Sequence, residues 1–189
     1  MLGAVRGERS MAARALAEAI GTGLLLLAVV GSGVMAEQLS PGDIGLQLLA
    51  NSTATALALA AIILTFGPVS GSHLNPVVTL AEHVTGKVER RAVPPYLAAQ
   101  LVGACAGTVV ANLMFELPAV ELSTKDRIGT GTFLAEVVAT FGLLTVIFGV
   151  VRSGRLAAVP IAVAGYIGAA YWFTSSTSVA NPAATIART

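Results

Sequence analysis

The sequence predicts an all-α membrane protein: one transmembrane domain over residues 1–189, an inverted repeat of helices with two re-entrant half-helices. Three observations carry that expectation. The 189 residues are 55% apolar and only 11% charged, with a mean hydropathy of +0.81, whereas soluble domains carry about 25% charged residues. Several apolar stretches approach the roughly 20 residues that a helix needs to cross a bilayer core. Finally, a short motif recurs at corresponding places in the two halves.

The same composition removes other classes. A net charge of +1 without a basic run offers nothing to nucleic acid. A single cysteine, Cys105, leaves no intrachain disulfide and no cysteine-rich metal site, so neither a metal nor another cofactor is expected. The 20 glycines and 8 prolines sit within apolar text and do not signal disorder.

The spans read as residues 15–36, 44–66, 95–117, 132–151 and 157–173, the last free to run to Thr174. The first apolar run is longer than the core of a secretory signal and is read as a retained span. Arg6, Arg9 and Arg14, then Lys87, Arg90 and Arg91, then Arg152 and Arg155 fall on one side of these spans. The other side has Lys125 and Arg127, diluted by Glu37, Asp43, Glu121 and Asp126. The positive-inside bias places the N-terminus in the cytoplasm, of a plasma (inner) membrane.

Two pairs of segments define the repeat. Ala17-Glu18-Ala19-Ile20-Gly21-Thr22 matches Ala135-Glu136-Val137-Val138-Ala139-Thr140, and Asn75-Pro76-Val77-Val78-Thr79 matches Asn181-Pro182-Ala183-Ala184-Thr185. An odd number of spans separates the two starts, so the second half is inverted in the membrane, a design that places a solute path at the midplane. Repeat one covers residues 11–117 and repeat two residues 131–189. The second lacks a counterpart of the third span, so the chain reads as a C-terminally truncated six-span design. With backbone at 184–189 short of a neighbour, it is expected to be unstable or inactive by itself.

Each Asn-Pro pair starts a helix well, since Asn caps the first turn and Pro at the first helical position sacrifices no bond. Residues 67–72 and 174–178 upstream read as irregular backbone. Residues 76–86 would make about 16 Å of helix, half a bilayer. Irregular backbone at that depth requires cover from protein or a water-filled cavity. Two half-helices entering from opposite sides would bring two Asn amides and two positive helix ends together. Such a centre repels cations and hydrogen-bonds to neutral solutes.

Ser70-Gly71-Ser72-His73-Leu74-Asn75-Pro76-Val77 resembles the first signature of the aquaporin (major intrinsic protein) family, and Ala180-Asn181-Pro182-Ala183 resembles the second. Glu18 and Glu136 also match that family, and the resemblance covers essentially the whole chain. It implies passive conduction of water or small uncharged solutes through one pore per subunit, with homotetramers in the bilayer. It also implies a constriction at Thr55, at Gly168 or Ala169, at Ser178 and at Ala184, where the family usually has Arg. These are small residues without ring or cation, so the expected pore is a permissive one for glycerol, urea or uncharged metalloid hydroxides such as As(OH)3. The arginine-free constriction resembles that of metalloid-permeable relatives.

The remaining polar residues have structural readings. Glu18 and Glu136, by their repeat symmetry, are expected to accept hydrogen bonds from the re-entrant loops, and His73 to bond loop backbone. Arg188 reads as a helix-end cation outside the constriction. Tyr171, Trp172 and Phe173 read as an interfacial belt, with pore lining as the alternative. A secondary transporter built from broken helices, or a non-conducting fragment of a channel, are the rival functions. An enzyme would need convergent catalytic groups that the sequence lacks.

Overall fold

The computed structural model describes residues 9–120 and 129–188; Arg6, Glu121, Lys125, Asp126 and Arg127 of the orientation argument lie outside them. Five helices in it are long and apolar enough to cross a membrane. They are α1 (Met11–Leu39), α2 (Ile44–Ser70), α4 (Val93–Met114, extended to Arg90 by a 3-10 turn), α5 (Thr130–Arg152) and α6 (Val159–Phe173, extended to Leu156 by a 3-10 turn). Short helices α3 (Pro76–Val84) and α7 (Pro182–Ala187) follow the two Asn residues.

Local sequence explains the boundaries. Ser10 caps α1 by accepting from the Ala13 N–H, and Asp43 caps α2 from the Leu46 N–H at 2.9 Å. Helices α4 and α6 start alike: each carries proline in its first turn, Pro94 and Pro160, after one turn of 3-10 helix at Arg90–Ala92 and Leu156–Ala158. The expected irregular stretch at 67–72 is corrected, because α2 continues through Pro68 to Ser70. Proline removes one N–H from the ladder and crowds the carbonyl four residues back, which kinks a helix without having to end it; the actual stop is Gly71, left-handed at φ 93°. Helix α3 ends at Val84, two residues short of the expected 86.

Large apolar side chains such as Leu57, Phe133, Phe141 and Ile161 point outward, and the interior holds small and polar residues beside an aliphatic cluster that includes Leu25, Leu26, Leu59 and Ile63. The outward Leu and Phe suit a bilayer, where helices gain nothing by hiding Leu from hydrocarbon and associate through close backbone approach. Helices α1 and α4 show it best. A Cβ on Gly103 would run into the Ala19 carbonyl, and one on Gly107 into the Gly23 carbonyl. Cys105, between them in sequence, faces outward. Across α1 and α2, Asn51 Nδ2 donates to the Val29 carbonyl at 2.7 Å and to Ser32 Oγ at 2.9 Å. Helices α2 and α6 meet through Trp172 Nε1 and Ser52 Oγ, with Gly168 against Ala56. Tyr166 ties α6 to α5 by donating to the Ala139 carbonyl at 3.1 Å.

Substituting Gly103→Val should therefore force α1 and α4 apart and destabilise the fold by about 1–3 kcal/mol. Gly165→Ala, where an added Cβ meets nothing within 4 Å, should be near neutral. Thermal unfolding of the two variants in detergent separates these outcomes.

Candidate functional site

The Asn residues are bound to one another's loops. Asn75 Oδ1 accepts from the Val77 N–H at 2.9 Å, and its Nδ2 donates to the Ala180 carbonyl at 2.7 Å. Asn181 Oδ1 accepts from the Ala183 N–H at 3.1 Å, and its Nδ2 donates to the Leu74 carbonyl at 2.7 Å. Each side chain thus caps its own half-helix and holds the loop ahead of the other. Pro76 and Pro182 open the half-helices. Val77 and Ala183 contribute their N–H groups.

The preceding loops share one strained conformation. Ser72 and Leu74 have φ of 48° and 53°; Ser178 and Ala180 have 51° and 43°. Non-glycine residues enter this region at a cost of order 1–3 kcal/mol each. Carboxylates from α1 and α5 offset it. Glu18, fully buried, accepts from Ser70 Oγ (2.6 Å), the His73 N–H (3.0 Å), the Leu74 N–H (2.7 Å) and Gln100 Nε2 (2.8 Å). Glu136 accepts from the Val179 N–H at 3.0 Å and the Ala180 N–H at 2.6 Å. Hydrogen bonds to a charged acceptor contribute about 1.5–3 kcal/mol each.

The first loop carries a larger network. Gln100 Nε2 also donates to Thr79 Oγ1 at 2.9 Å, and that hydroxyl donates to the Asn75 carbonyl at 3.2 Å. His73 Nδ1 lies 3.0 Å from Thr79 Oγ1, a side chain rather than the loop backbone expected for it, with its ring edge-on to Tyr96 at 5.2 Å. Arg14 Nε donates to Tyr96 OH, which donates to the Ser70 carbonyl, both at 2.8 Å. Sequence reasoning passed over Gln100, Tyr96 and Thr79. Gln100 carried a usable signal as an amide within an apolar span.

A cavity of about 250 Å³ runs past both Asn residues. The loops supply its polar wall through Ser72, His73, Asn75, Ser178 and Asn181, and much of the rest is apolar, including Leu25, Leu59, Ile63 and Val78. Thr55, Ser178 and Ala184 all border it. Ala169 does not: it is exposed, and Gly168 packs against α2 instead. The α6 residues on the cavity are Val159, Val163, Ile167 and Tyr171. Counting back from Asn181 crosses irregular backbone and loses helical register, whereas this spacing of four preserves it. Beside the residues expected at the constriction, the cavity thus has a ring, Tyr171, and a cation, Arg188, on its border. Tyr171 is buried, its hydroxyl lies 3.2 Å from Thr55 Oγ1, and Arg188 borders the same cavity. Trp172 and Phe173 are exposed, where a lipid-facing belt would have them.

Comparison with known proteins matches this arrangement. The family model for major intrinsic protein covers residues 7–188. The chain is 49% identical over 181 residues to aquaglyceroporin AqpS of Rhizobium meliloti, covering 96% of this chain and 77% of that one. It is 32% identical to aquaporin AqpM of Methanothermobacter marburgensis, over 77% of this chain and 68% of that one. Among solved structures, the aquaglyceroporin from Plasmodium falciparum superposes with a TM-score of 0.76 at 25% identity, over 95% of this chain and 80% of that one. The re-entrant Asn-Pro loops, the helical bundle around them and the match over residues 7–188 place this chain in the major intrinsic protein family.

Proposed function

We propose that the chain is a passive pore for water and small neutral solutes of glycerol or urea size, with uncharged metalloid hydroxides in the same class. The observation that carries this reading is the cavity bordering both Asn residues, with the loops on one wall and mostly aliphatic side chains elsewhere, Glu82 and Arg188 being the charged exceptions. An amphipathic lumen suits solutes with hydroxyls on one edge and carbon on the other. Two relatives described as aquaglyceroporins favour glycerol-sized cargo alongside water.

Thr55, Tyr171, Ser178 and Ala184 form the constriction in this reading. Ala184 supplies room, while the Thr55–Tyr171 pair makes the passage more polar and narrower than small residues alone would. Glu18, Glu136 and His73 hold the loops that present Asn75 and Asn181. The Lys87 ammonium lies 4.7 Å from the centre of the Phe148 ring, so the basic segment at 87–91 and the Arg152 end of α5 share one face. That face is cytoplasmic by the positive-inside rule, which puts the N-terminus inside and suits a plasma-membrane channel. Homotetramers complete the proposal.

In this reading the five spans suffice for a pore, so liposomes carrying the chain should shrink rapidly under an osmotic step and refill with glycerol at a rate linear in concentration and indifferent to a pH gradient. Stopped-flow light scattering reads both phases; saturable or gradient-coupled uptake would identify a carrier instead, and no flux of either kind a non-conducting fragment. Ala184→Arg should lower glycerol flux on the order of tenfold while sparing water, and an unchanged glycerol rate would remove Ala184 from the constriction.

Glu18→Ala leaves four donors without their acceptor and should cost about 3–5 kcal/mol, more than Glu136→Ala. Glu18→Gln should not restore stability, because an amide turns one acceptor into a donor facing other donors. Unfolding midpoints in detergent compare the three.

A further inference from the structure

Both half-helices turn the same face to the cavity, and the two faces end in opposite charges. Along α3 the residues on the cavity are Asn75, Val78 and Glu82; along α7 and its cap they are Asn181, Ala184 and Arg188. Steps of three and then four follow one face of a helix, so Glu82 and Arg188 occupy matching positions in the inverted repeat. Among the described residues they are the one acidic residue and the one Arg or Lys on this cavity. They stand at its opposite ends. Glu82 Oε1 accepts from Lys87 Nζ at 3.3 Å, and that ammonium lies over the Phe148 ring near the C-terminal end of α5. Arg188 also borders a wider cavity of about 1140 Å³, together with Thr130 and Thr132 at the N-terminal end of α5.

Helix stability does not explain Glu82. A carboxylate in the last turn meets the negative end of its helix and is disfavoured there. Lys87, its side chain 39% exposed, adds little as a surface partner. The Glu82 side chain is 12% exposed, and its second carboxylate oxygen has no hydrogen-bond partner among the described residues yet is not sealed off. Arg188 is shared by the two cavities along with Tyr171 and Val179, so a solute moving from one to the other passes it. From this arrangement we infer that Glu82 and Arg188 are charge barriers at the two mouths of the pore, Glu82 turning back small anions and Arg188 small cations. A fixed charge in a cleft with low-dielectric walls depletes ions of its own sign there, whereas a neutral solute meets neither barrier. The inference rests on the channel reading and assigns its ion-rejecting groups.

Urea, guanidinium and nitrate suit the test, being planar and of similar size but neutral, cationic and anionic. Their entry into liposomes holding the chain is measured with potassium and valinomycin balancing charge. Each ion is expressed as a ratio to urea, which cancels differences in the amount of folded protein. The parent chain should pass urea and exclude both ions. Glu82→Gln should raise the nitrate ratio about tenfold and leave guanidinium excluded, and Arg188→Gln should do the reverse. Glu82→Asp and Arg188→Lys keep the charge and should behave as the parent. A ratio unmoved in either neutral variant, both ions rising together in one variant, or a parent chain that already passes either ion overturns the assignment. A parent chain without urea flux overturns the channel reading itself, and this inference with it.

Discussion

Peptide groups outside a helix have no water to turn to inside a bilayer, and that constraint organises this protein. Each unsatisfied N–H or C=O at membrane depth costs several kcal/mol. The loops ahead of Asn75 and Asn181 expose several such groups, and the polar side chains inside the bundle attend to them. Glu18 takes two loop N–H groups and Glu136 takes two more. Tyr96 serves the Ser70 carbonyl, and the two Asn amides serve the carbonyls of Leu74 and Ala180.

The two loops reach the same geometry by unequal means. Around the first, α4 contributes Gln100 and Tyr96 and α1 contributes Glu18 and Arg14. Around the second, α5 contributes Glu136 and the loop its own serines. The φ values are similar in the two loops, whereas the bonds around the first draw on side chains from both α1 and α4. The close α1–α4 contact at Gly103 and Gly107 belongs to that support, since it keeps Glu18 and Gln100 within reach of each other.

Much of this was legible in the sequence because its signals are local or repeated. Apolar length marks the spans, and two Asn-Pro pairs in matching positions mark the re-entrant helices. Signals that depend on register were harder. Gly67-Pro68 looked like a break, but a proline near a helix end is tolerated, and the left-handed Gly71 decides where α2 stops. Ala169 followed from counting through a loop whose path no periodicity constrains. The stripe of Val159, Val163, Ile167 and Tyr171 is the α6 face that borders the cavity. Gln100 and Thr79 were missed because their partners lie 82 and 21 residues away in sequence, and no local pattern records such a contact.

The reciprocal Asn contacts also have a consequence in time. They join residues 105 and 107 positions apart. At about 5–20 residues per second, a ribosome needs roughly 5–20 s after making Asn75 to reach the carbonyl that its amide will hold. During that interval the first loop has its carboxylate and its glutamine but no opposing motif. The early half must therefore wait in the membrane partly satisfied, either shallow enough to borrow water or sheltered by the insertion machinery. The lumen closes only when the second motif arrives, so the last motif synthesised completes the first one.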